Sequence, residues 1–209
     1  MSSPTLQPGT ESAPRGLNPA AMVFSSAATR MLLSGDGMTT PLLQALVHGP
    51  LRARADGVRT VGPTVLPPGI GEALRPDIHD NCLLRRSRLL TVTGQTVSEN
   101  TVAARSGMDP RVDKAVTDPS QPVGFALAEA EVVLRRRIVH VGRATWPDGT
   151  PCAVKTYTLD SDGRPLLCIR ELFNPFIVDA AVRVKEPTEM EPVRAARSGP
   201  TVMSALTGS

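Results

Sequence analysis

The run Cys152-Ala153-Val154-Lys155-Thr156-Tyr157-Thr158-Leu159, the turn Asp160-Ser161-Asp162-Gly163 and the run Pro165-Leu166-Leu167-Cys168-Ile169-Arg170-Glu171-Leu172-Phe173 decide the fold. Two β-prone segments flank an Asp-Gly turn, which is a strong hairpin signal. A second pair of runs, Cys82 to Val92 and Val97 to Arg105, flanks Thr93-Gly94-Gln95. Weaker strand candidates run from Leu51 to Thr60 and from Ile138 to Ala144. The helices group before and between these strands. Asn18-Pro19 opens one that runs through Met31-Leu32-Leu33, Thr40-Pro41 opens a second, and an Ala/Glu-rich stretch from Val123 to about Leu134 forms a third. One short helix is expected in the Pro/Gly-studded link between Pro63 and Pro76. Strands joined by tight turns, with helices gathered apart from them, predict a single α+β domain. Its antiparallel sheet carries helices packed on one face.

Outward from that core, residues 1–17 and 186–209 are rich in Pro, Gly, Ser and Thr without periodicity and read as disordered tails, leaving a folded domain over 18–180. The chain has 209 residues, 41% of them apolar, enough for one packed domain. Four Phe, one Trp and one Tyr are too few for a base-stacking surface, and a net charge of +3 does not announce a polyanion, so a nucleic-acid partner is not expected. The cations are 20 Arg and 3 Lys. Cys82, Cys152 and Cys168 lie far apart, without metal spacing or an even count for disulfides, so no metal site is expected. There is no run long enough to span a membrane and no secretory pattern at the start, so a cytoplasmic location with reduced thiols is expected.

The strand that carries Glu171 holds the most chemical information. Alternation puts Leu167, Ile169, Glu171 and Phe173 on one face. A carboxylate in that company needs a partner or a raised pKa. A neighbouring strand's arginine is the structural reading, and a functional acid is the other. In Leu83-Leu84-Arg85-Arg86-Ser87-Arg88-Leu89-Leu90, alternation sets Arg86 and Arg88 on one face and Arg85 on the other. Either face could be solvated, or a guanidinium could be recessed for an anion. Gly35-Asp36-Gly37-Met38-Thr39-Thr40 lacks the completion of a phosphate loop and reads as a helix-initiating turn whose amides could receive a carboxylate. Arg135-Arg136-Arg137 reads as a solvated run at a helix end, and His48, His79 and His140 are isolated, so no catalytic triad is expected.

In order along residues 31–178, Leu32-Leu33-Ser34-Gly35-Asp36-Gly37-Met38-Thr39, Leu84-Arg85-Arg86, Pro122-Val123-Gly124, Val141-Gly142-Arg143, Gly163-Arg164-Pro165-Leu166-Leu167 and Glu171-Leu172-Phe173-Asn174-Pro175 resemble the chorismate pyruvate-lyase (4-hydroxybenzoate synthase) family. The resemblance implies a ligand enclosed between the sheet and helical flaps. It also implies a cofactor-independent carbon–oxygen lyase that removes pyruvate from chorismate, or a close analogue, to leave a hydroxybenzoate. Carried over by position, Arg86, or Arg85 if the strand register shifts by one residue, would bind the ring carboxylate and Glu171 would face the ring oxygen. The backbone amides at Met38 and Val123 would help hold the carboxylate. Arg143 and Lys155 are the candidates for a second cation. Two positions depart from the family: Arg170 stands where a small polar residue is usual, and Ser98-Glu99-Asn100-Thr101 lacks the expected arginine.

Two alternatives stand beside the lyase. One is a non-catalytic effector-binding domain of the same fold, as in some bacterial transcription regulators. It calls for an attached winged-helix segment, for which the 30 or so residues before Ser34 are short and Pro-rich. The other is a same-fold biosynthetic enzyme acting on a different aromatic or polyketide-like ligand.

Overall fold

Residues 18–183 are described in the computed structural model of the chain, and in them the Asp-Gly turn closes as its residues dictate. Asp162 and Gly163 both take positive φ, 49° and 78°, which matches a tight turn to the twist of the flanking strands. The described residues contain six strands: β1 (Arg52–Val61), β2 (Cys82–Leu90), β3 (Thr96–Arg105), β4 (Arg135–Thr145), β5 (Pro151–Ser161) and β6 (Arg164–Phe173). They form one antiparallel sheet in the order β1-β2-β3-β6-β5-β4. The helices are α1 (Ala27–Ser34), α2 (Thr39–Leu46), α3 (Ile70–Leu74), α4 (Pro110–Thr117) and α5 (Val123–Glu129), with short 3-10 turns at Pro19–Val23 and Pro63–Val65. The expected tails, 1–17 and 186–209, lie outside the described residues.

The α+β reading holds, with one correction to the layering. Helices α1 and α2 press Leu32, Leu33 and Leu43 onto Leu89, Val97, Ala153 and Phe173. Helices α4 and α5 press Val112, Val116, Val123 and Leu127 onto Leu83, Val102, Tyr157, Leu167 and Ile169. These four cover one face, called the front below. Helix α3 lies on the back, where Leu66, Ile70 and Leu74 cover Cys82, Leu84, Ala103 and Cys168. Those strand residues are apolar and of opposite parity to the front set, so they too must be kept from water.

The first predicted helix is split. Asn18 caps the turn Pro19–Val23 through its side chain, Ser26 then caps α1, and Phe24 between them bridges to Val182. The third predicted helix stops at Glu129, and Glu131 takes a left-handed φ of 52°. Arg135-Arg136-Arg137 consequently opens β4 and does not end a helix. Helix α4 was not predicted, although Asp109-Pro110 gives it the same cap-plus-proline start as Asn18-Pro19.

Candidate functional site

One cross-strand row on the front face sets the site. Ser87 on β2 pairs with Asn100 on β3, Asn100 with Glu171 on β6, and Glu171 with Lys155 on β5. Pairing across antiparallel strands brings these side chains together although they are spread over most of the chain. Above the row the first turns of α2 (Met38, Thr39, Thr40) and α5 (Pro122, Val123, Gly124) converge, and with Arg136 and Tyr157 they enclose a cavity of about 40 Å³. Amides in a helix's first turn lack intrahelical acceptors, so two such turns meeting at one cavity favour an anionic group there.

Glu171 is 6% exposed and its Oε2 accepts a 2.7 Å hydrogen bond from the Thr39 hydroxyl. Burial pushes its carboxyl above the ordinary range, against the pull of the Lys155 charge and the Thr39 bond. Lys155 is also buried, and its ammonium donates to Leu32 O at 3.1 Å and to Gly35 O, at the C-terminal end of α1. Desolvation lowers its pKa to about 8, with Glu171 opposing. The Arg136 guanidinium lies 4.3 Å from the centre of the Tyr157 ring and donates to Gly37 O. Asn100 donates through its amide nitrogen to Ser98 at 3.2 Å, while its buried Oδ1 has no partner. A buried carbonyl oxygen left so is costly, and a ligand donor would satisfy it.

Several expectations are redistributed. Glu171, Met38 and Val123 do line the cavity. Arg86 does not: it is exposed on the back of the sheet, because alternation that turns Ser87 and Leu89 to the front turns Arg86 away. Arg85 faces front and is fully buried, but its guanidinium donates to four backbone carbonyls, of Ala115, Val116, Asp118 and Gln121, at 3.4, 3.2, 2.6 and 2.9 Å. It ties down the end of α4. Arg143 is exposed on β4 away from the cavity, and Lys155 braces α1 without forming part of the wall. The sequence reading missed Ser87, Asn100, Tyr157 and Arg136. Alternation with Leu89, Val102 and Ile138 could have found three of them, but assigning Arg135–Arg137 to a helix end hid Arg136.

The charged groups on the cavity wall are thus Glu171 and Arg136. A dianion such as chorismate calls for two cations, and this wall supplies one. Outside it lies a cleft of about 400 Å³ between the α1–α2 turn and α5, sharing Met38, Gly124 and Arg136 with the inner cavity.

No protein-family model and no curated protein matches the sequence significantly. Solved structures do match. PhnF from Mycobacterium smegmatis aligns at 14% identity over 73% of this chain and 70% of its own, with a TM-score of 0.55. Its isolated effector domain aligns over 67% of this chain and 90% of its own, at 14% identity and a TM-score of 0.53. The C-terminal domain of the histidine utilization repressor from Pseudomonas syringae aligns over 65% of this chain and 99% of its own, at 12% identity and 0.51. The chain spans 64% of the possible transcriptional regulator YydK from Bacillus subtilis, at 11% identity and 0.49. The fold is that of regulator effector domains. That finding overturns the expected carbon–oxygen lyase: the solved structures that share this fold are transcription regulators and their effector domains. Among the described residues no helix is long and apolar enough to cross a membrane.

Proposed function

We propose that this domain is a non-catalytic effector-binding module whose front cavity takes a small carboxylate ligand. The observation that carries the proposal is the unpartnered Asn100 Oδ1, on a residue lining a cavity that Glu171, Arg136 and two helix first turns also line. The ligand carboxylate sits at the Arg136 end, against the amides at Met38 and Val123. A hydroxyl or amine of the ligand donates to Asn100 Oδ1 and Glu171. At about 40 Å³ the cavity holds a few waters and no ring compound, so binding expands it into the outer cleft by displacing the Met38 side chain. In the whole protein a DNA-binding partner domain responds to the ligand, in the cytoplasm, with the three buried cysteines kept as free thiols.

Calorimetry with a panel of small hydroxy- and aminocarboxylates, chorismate included, tests this. Saturable binding without turnover is expected, weakened on the order of tenfold or more by Arg136→Met and by Asn100→Ala. Pyruvate release from chorismate, or binding indifferent to both substitutions, defeats the proposal.

A further inference from the structure

The back of the sheet carries a second row of paired side chains: His140 on β4 opposite Thr156 on β5, and Thr156 opposite Arg170 on β6. A bulge between Ile138 and His140 makes this row, because the extra residue, Val139, returns His140 to the same face as Arg137. Together with Gly69, Glu72, Ala73 and Arg75 at α3, these residues wall a cleft of about 470 Å³ separated from the front cavity by the sheet.

Its construction is specific. Thr156 lines the cleft, is 2% exposed, and its buried hydroxyl has no hydrogen-bond partner. Two glycines leave room for the cleft's basic side chains. A Cβ at Gly69 would come within 2.8 Å of an Arg170 terminal nitrogen, and one at Gly142 within 3.1 Å of His140 Nε2. Arg170 donates to Pro68 O, which fixes its guanidinium at the cleft. Arg137 is held through Nε by Asp160 at 3.2 Å, and the Glu72 carboxylate accepts from Gly69 N. Three arginines therefore face two carboxylates that are already engaged, and the balance around the hydroxyl is cationic.

We propose that this back-face cleft binds a tetrahedral oxyanion, the phosphoryl group of a small phosphorylated molecule or free phosphate. Donors come from three elements, α3, β4 and β6, around one buried hydroxyl. Planar forks and a hydroxyl arriving from several directions suit the three or four oxygens of a phosphoryl group better than the two of a carboxylate. The buried position of Thr156 selects a ligand that enters a cleft, not the backbone of a duplex lying on a surface.

An amide NMR titration of the full chain with inorganic phosphate, repeated with glycerol phosphate, tests the site. Saturable shifts are expected at Gly69, His140, Thr156 and Arg170, with Met38, Gly124 and Glu171 unmoved. Tighter binding of the ester identifies a phosphorylated metabolite, and equal binding identifies free phosphate; either supports the site. Thr156→Val, which keeps the shape and removes the hydroxyl, and Arg170→Ala should each weaken binding on the order of tenfold, and Arg86→Ala should not. Absence of saturation at millimolar phosphate, shifts confined to the front cavity, indifference to Thr156→Val, or displacement of phosphate by short duplex DNA would overturn the assignment.

Discussion

Glu171 and Lys155 are neighbours across β5 and β6, and burial acts on them in opposite senses. For Glu171 the folded-state pKa lies above the unfolded value of 4.5. Its favourable contribution is complete below that pH and is lost as pH rises through the folded value. Lys155 is held down to about 8 from 10.5, so the unfolded chain binds more protons in that window and stability climbs as pH rises across it. Urea titrations at several pH values check both signs. Glu171→Gln should abolish the loss above the ordinary carboxyl range while matching the parent protein in acid. Lys155→Met should remove the alkaline rise.

At the scale of the element, the first hairpin shows how adjacent identical residues acquire unrelated roles. Arg85 and Arg86 differ by one step along β2, and the period of two sends one under α4 and the other into solvent. Arg85 satisfies carbonyls at the end of α4, where a cation is also favoured by the helix dipole. Arg85→Met should cost roughly 3 kcal/mol in chemical denaturation, since several carbonyls lose a charged donor. Arg86→Ala should stay within about 0.5 kcal/mol, as exposed substitutions do. The strand segments themselves were legible, because alternation and turn chemistry are local. Helix α5 was overextended because nothing in its Ala/Glu composition marks the stop that Glu131 makes by adopting a left-handed conformation. Glu171 was found for the same local reason that Arg136 was lost: a correct or incorrect element assignment decides which face a side chain takes.

For the whole molecule, the two ends of the described chain close on one another. Phe24 bridges to Val182, and its fully buried ring packs in the cluster that joins α1 and α2 to Phe173, Val178 and Ala180. That cluster backs α2, whose first turn lines the front cavity. Phe24→Ala should lower stability by about 3–5 kcal/mol, measured by denaturant unfolding, through lost burial and the void left beneath α1. The sheet meanwhile separates two polar sites, one under the front helices and one beside α3 on the back.

The sequence by itself determined the α+β class, the hairpins on either side of Thr93-Gly94-Gln95 and Asp162-Gly163, and the burial of Glu171 among apolar neighbours. Each of these follows from turn residues and a two-residue period, which act between near neighbours. Only the tertiary structure decided which cation meets which acid, that α3 covers the back, and that Asn100, Arg136 and Tyr157 share a wall with Glu171. Those facts depend on strand order, on the Ile138/His140 bulge and on where helices far away in sequence come to rest. A pattern read along one chain carries no record of pairings between segments separated by dozens of residues.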